Sequence, residues 1–222
     1  MRHATLPATV IVPLCLFVTL IASGTPALAS PPADGSPESQ IAPAPLVAIQ
    51  PLGTLDATLV RAVASRIRET FLVNVVVLAS LPLPESAFYR PRNRYRGERL
   101  LGWLDDHGTP QATKIIGLLA SDISVTKGQF YDWGVMGVAG LNRRAGVVSE
   151  HRLARQSAPS DVVARRMTQV AVHELGHTFG LPHCSEAHCI MNDAEGSMAA
   201  VDASSGSFCA RCRARLAGLL RD

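Results

Sequence analysis

His173, His177 and His183, followed by Cys184, Cys189, Cys209 and Cys212, are the residues of this 222-residue chain whose types and spacing suit metal chemistry. His173-Glu174-Leu175-Gly176-His177 sets two imidazoles four residues apart, hence on one face of a helix, with a carboxylate beside them. Gly180 supplies the backbone freedom to leave that helix, and three residues later His183 can return a third nitrogen. Three protein ligands leave one position of a tetrahedral zinc open to water, which distinguishes catalytic sites from closed structural ones. In that setting Glu174 can take the water's proton and pass it to a leaving amine, the chemistry of peptide-bond hydrolysis. Gly176, inside the helix, reads as a point of close packing.

The four cysteines form two close pairs, a pattern that suits a closed tetrahedral zinc site that stabilises a fold and does no chemistry. Two disulfides are the alternative if the chain is exported. A redox role for Cys209-Ala210-Arg211-Cys212 lacks the thioredoxin-like βαβ context it needs. His188 reads as a solvated loop histidine, and His107 and His151 lack ligand spacing.

Taken together, HExxHxxGxxH, the cysteine directly after the third histidine, the later Met191 and the distant Cys-x-x-Cys pair resemble the archaemetzincin family of metzincin zinc metallopeptidases. The resemblance is specific over His173 to Cys212 and looser over Trp133 to Leu153; further upstream it lies in element order alone. It implies catalytic zinc on His173, His177 and His183, Glu174 as general base, Met191 as the Met-turn residue, and a second, structural zinc on Cys184, Cys189, Cys209 and Cys212. It also implies an α/β, metzincin-like zincin domain: a twisted mixed, mostly parallel sheet, an active-site helix and a C-terminal helix. Gly134 to Gly140 resembles the strand that edges the cleft in metzincins and pairs with an extended substrate; a plain edge strand of small residues is the alternative.

The elements that must position these residues follow from periodicity. Leu46 to Leu52 reads as a strand, Asp56 to Thr70 as an amphipathic helix and Phe71 to Leu78 as a buried strand, which suggests a parallel crossover. Gly97 to Asp106 reads as a helix, Thr113 to Ala120 as a buried strand and Ser121 to Tyr131 as a polar loop. Two further strand-like pieces, Trp133 to Leu141 and Ala145 to Ser149, flank Asn142-Arg143-Arg144. Ser160 is a candidate N-cap for a buried helix reaching Phe179. Asn192 to Gly206 reads as a loop and Ser207 to Leu220 as the terminal helix.

Residues 1–29 have a short basic start, an apolar stretch broken by Pro13 and the small-x-small sequence Ala27-Leu28-Ala29, as in a cleaved secretory signal. The expected location is therefore periplasmic or extracellular, with a membrane association only if that segment stays uncleaved. Of five cysteines, Cys15 leaves with it and the four of the candidate site remain. Residues 30–45, rich in Pro, Ser and Ala, read as a flexible linker or a short prosegment in which Asp34 or Glu38 could block a metal; residues 46–222 form one domain. Arg90, Arg92, Arg94 and Arg96 interleave with aromatic residues, but a formal charge of only +3 argues against nucleic acid and leaves acidic side chains or anionic surfaces as the looser reading. The expected partner is a peptide or protein substrate. The expected activity is zinc-dependent peptide hydrolysis; the competing reading is an exported, zinc-stabilised peptide-binding protein with little turnover.

Overall fold

The computed structural model describes residues 44–221; the signal segment and nearly all of the linker lie outside them. The five-stranded sheet is built from β1 (Leu46–Leu52), β2 (Asn74–Val77), β5 (Lys114–Leu119), β8 (Gly137–Ala139) and β9 (Ala145–Ser149), in the order β2-β1-β5-β9-β8. All its pairings are parallel except β8 against β9. Alternate residues of β1 point to opposite faces: Val47 and Ile49 enter one core cluster and Ala48 the other. Helices on both faces explain why β1 and β5 are buried along nearly their whole length and are largely apolar, Gln50 apart.

Helix α1 (Ala57–Phe71) packs on one face through Val60, Val63, Ile67 and Phe71. Its N-terminus is capped by Asp56, which accepts from the Thr58 amide at 2.6 Å. Leu72, at φ 55, ends it. The strand expected over Phe71 to Leu78 is thus shorter and less buried: Phe71 belongs to the helix, and β2 is the half-buried edge of the sheet. Helix α2 (Gly97–His107) covers the opposite face through Leu100 and Leu104.

A second, small sheet combines β3 (Phe88–Tyr89), β4 (Arg94–Arg96), β6 (Ile123–Lys127) and β7 (Phe130–Val135), in the order β3-β4-β6-β7. Ser121 to Tyr131 is therefore a strand and the start of its hairpin partner rather than a loop. The four arginines are not a free basic patch either. Arg94 lies 3.3 Å from Asp122 and 3.6 Å from Asp132, and buried Arg96 bonds Glu98, Ser124 and Thr126 while its guanidinium lies over the Tyr131 ring.

Short helix α3 (Glu150–Leu153) leads into α4 (Ser160–Thr178), which packs against α1, β8 and β9. Pro159 occupies the N-cap with no side-chain bond, so Ser160 is the first helical residue and not the cap. The segment after Met191 contains a one-and-a-half-turn helix, α5 (Met198–Ala203), where only loop was expected, and α6 (Ala210–Leu219) starts one residue beyond Cys209. No helix among the described residues is long and apolar enough to cross a membrane.

Candidate metal centres and cleft

Buried on most of its circumference, α4 carries His173, Glu174 and His177 into the floor of a cleft of about 630 Å³ whose opposite rim is β8. Gly180, at φ +97, turns the chain beyond the helix, and the Leu181 amide bonds back to the Gly176 carbonyl at 2.9 Å. That turn returns His183 to the two helical histidines. One nitrogen from each of the three rings lies within 4.8 Å of the others.

The backbone selects which nitrogens converge. His173 Nδ1 is 2.7 Å from the Ile190 carbonyl and His177 Nδ1 is 2.7 Å from the Leu181 carbonyl, so each Nδ1–H donates to backbone. Their Nε2 atoms are left facing each other at 3.0 Å, near the spacing of two ligands each about 2.0–2.1 Å from one ion. Burial, reinforced by the charge His177 can carry, lowers the His173 pKa to about 4 and keeps it an unprotonated donor at neutral pH. Burial lowers His177 as well. Three imidazole nitrogens converging on an open cleft suit zinc. His183 Nδ1 faces an Asp193 carboxylate oxygen at 3.3 Å.

Glu174 is buried beneath β8, and its pKa is raised to about 8, first by desolvation and then by the negative charge of Asp193. Its place depends on Gly137: a Cβ there would stand 2.6 Å from Glu174 Oε1. Gly176 is the point of close packing expected of it, since a Cβ would stand 2.6 Å from the sulfur of Met191, which is wholly buried under the helix.

Beside this cluster, Cys184, Cys189, Cys209 and Cys212 are free thiols whose sulfurs lie within 4.8 Å of one another. Cys184 and Cys209 are 3.8 Å apart, far beyond the roughly 2.05 Å of a disulfide. Burial pushes Cys184 up, but hydrogen bonds from Arg211, the Glu186 amide and the neighbouring thiols outweigh it and bring its pKa to about 7. Burial also raises Cys189 and Cys212. The two clusters share a wall: Ile190 accepts from His173 through its carbonyl while its own amide bonds Ser207, and the Cys184 amide bonds the Met191 carbonyl.

The fold brings together all seven ligand candidates expected from spacing, and β8 lies within the expected cleft edge Gly134 to Gly140. No spacing rule points to Asp193 or Arg211, to the close approach of Gly137 to Glu174, or to Lys127 and Trp133 as cleft-lining residues. His188 is an exposed loop residue near the Ala203 carbonyl.

An imidazole triplet and a buried carboxyl below a sheet edge are the marks of a zincin-type peptidase cleft. Residues 63–218 match the family described as Peptidase family M54. The chain is 32% identical over 174 residues to an archaemetzincin of Haloquadratum walsbyi, covering 75% of this chain and 96% of that one. Over 183 residues it is 32% identical to one of Thermococcus kodakarensis, covering 77% and 95%. The crystal structure of archaemetzincin from Methanopyrus kandleri superimposes with a TM-score of 0.70 at 28% identity, covering 81% of this chain and 97% of that one. The Archaeoglobus fulgidus archaemetzincin, complexed with malonate, gives 0.65 at 28% identity, covering 77% and 99%. This chain belongs to the archaemetzincin family, peptidase family M54, and is a zinc metallopeptidase.

Proposed function

We propose that His173, His177 and His183 hold the catalytic zinc, that Glu174 is the general base for peptide-bond hydrolysis, and that Cys184, Cys189, Cys209 and Cys212 hold a second, structural zinc. The observation that carries this reading is the convergence of three imidazole nitrogens within 4.8 Å, one residue from a carboxyl buried under the sheet edge. Zinc at the histidines would supply Lewis acidity, to water and to the scissile carbonyl. The open edge of β8 offers main-chain donors and acceptors that align an extended peptide above Glu174. Glu174 takes a proton from the attacking water and returns it to the departing amine nitrogen, so that one water is consumed and one acid and one amine are released. A nearby cation favours the ionised carboxyl, opposing the burial that raises its pKa. Asp193 and the Ile190 and Leu181 carbonyls keep the imidazoles oriented. Met191, buried against Gly176 between the two helical histidines, would serve as the Met-turn residue.

The test is cleavage of an unbiased peptide library by the native chain and by Glu174→Ala at matched zinc content. The native chain is expected to cleave and the variant to lose at least about 100-fold in rate. Equal cleavage by both would sink the assignment, and cleavage by neither would favour the peptide-binding reading. We also propose export with processing between Ala29 and Ser30, on the strength of the signal-like sequence of residues 1–29. N-terminal sequencing of the exported protein should begin at Ser30; a mature chain that begins at Met1 would refute it.

A further inference from the structure

The β6–β7 hairpin presents more aromatic surface to solvent than the fold requires: Phe130 is 65% exposed and Trp133 38%. In a strand, neighbouring side chains face opposite ways. Asp132 is turned inward, within 3.6 Å of Arg92 and of Arg94, so Trp133 is turned outward, and it lines the same cleft as His173, Glu174, His177 and His183. Phe130 lies against it with ring centroids 5.7 Å apart, and Lys127 places its ammonium 5.2 Å from the Trp133 ring centre. The hairpin is fixed from behind. Arg152 packs on Gly134 so closely that no Cβ would fit there, and it grips Asp122 through bonds of 2.8 and 3.0 Å. The result is an aromatic face, held from behind by Arg152 and bordered by a cation, that opens onto the cleft.

We propose that Trp133, with Phe130 and Lys127 beside it, is a specificity-determining subsite that takes an aromatic or bulky apolar side chain of the peptide and disfavours a cationic one. The discrimination has two sources. Stacking on the indole rewards an aromatic or aliphatic group, and the ammonium of Lys127 repels lysine or arginine at the same place. The role in peptide hydrolysis rests on the function proposed above, and the test separates the two.

The chain has two tryptophans, Trp103 and Trp133, so Trp103→Phe leaves the subsite as its own reporter. In a zinc-loaded Glu174→Ala, Trp103→Phe protein, blocked alanine hexapeptides carrying one Phe, Leu or Lys at each position in turn are titrated against tryptophan emission. At one position the Phe peptide is expected to shift the emission and bind about tenfold more tightly than its Lys counterpart. Lys127→Glu in the same background should narrow that gap. In cleavage by the native chain the same preference should appear in KM, survive Trp133→Phe and vanish in Trp133→Ala. Unchanged emission, equal affinities for Phe and Lys peptides, or a preference that persists in Trp133→Ala overturns the proposal. Binding with the stated preference but no cleavage by the native chain keeps the subsite and removes the peptidase reading; cleavage without the preference does the reverse.

Discussion

Gly137 sets how closely strand β8 can approach Glu174. A methyl group there would meet Glu174 Cγ and Val170 Cγ1 at 2.8 Å as well as the carboxyl oxygen, and a main-chain-borne atom in an edge strand can yield only by displacing one of them. Gly137→Ala is therefore expected to lower kcat by about 10- to 100-fold through misplacement of the carboxyl. Overpacking should lower the melting temperature by only a few degrees and leave the chain folded at the assay temperature. Steady-state kinetics together with a thermal melt check this, and an unchanged kcat refutes it. The contrast with the histidines explains what was legible. His173, Glu174, His177 and His183 announce themselves because one helix and one turn set their geometry, so spacing along the chain stands for spacing in space. The need for glycine at Gly137 arises only where a strand crosses a helix far along the chain, and no local pattern records it.

At the level of elements, α4 is held from its outer side by α5. Asp202 accepts from Arg166 Nε at 2.8 Å and Nη2 at 2.7 Å, with Arg165 at 3.0 Å. The Arg166 bonds foremost hold the Asp202 pKa below its ordinary 3.8. A group depressed in the folded state contributes stability that is present above its unfolded pKa and is lost as pH falls through the lower, folded one. Asp202→Asn should thus cost about 1–3 kcal/mol at pH 7, and the gap to the native chain should close as pH drops below 3.8. Denaturant unfolding at neutral and acid pH measures it; a gap equal at both, or absent, would count against the pair. Helix α5 was not legible because six residues of Met, Ala, Val and Asp, under two turns, cannot show a full apolar stripe. Strand β6 was hidden differently: its inner end, Ile123 and Ser124, is buried while the rest faces water, so alternation never develops over enough residues. Leu72, a residue with no turn propensity, ends α1 in the left-handed region, and this displaced the predicted start of β2.

At the scale of the molecule, one core cluster runs from Val47 and Ile49 through α1 and α4 to Cys184, Cys189 and Cys212, so the thiol cluster is part of the main core and not an appendage. Cys209→Ser with Cys212→Ser is expected to lower the melting temperature by about 10 °C or more and to reduce bound zinc, before any loss of kcat at low temperature. Normal melting and full zinc content would refute the structural role. The layered α/β plan was readable because the strand-like stretches around β1, β2 and β5 alternate along the chain with the helical periodicity of α1 and α2. The fate of the arginines was not, since Asp122 and Asp132, which pair with Arg92, Arg94 and Arg96, reach them only through the small sheet.

The cleft-side edge of the main sheet, β8, is three residues long. So short a ladder offers a guest chain few main-chain bonds, each worth about 0.5–1.5 kcal/mol net. Two hydrolysis fragments, each keeping only part of that ladder, have little to hold them, so dissociation of products should not throttle turnover. The same brevity denies another protein's strand a template for runaway pairing. The enzyme can leave this edge uncovered because the edge is too short to be a hazard, and discrimination among peptides falls to the side chains around it.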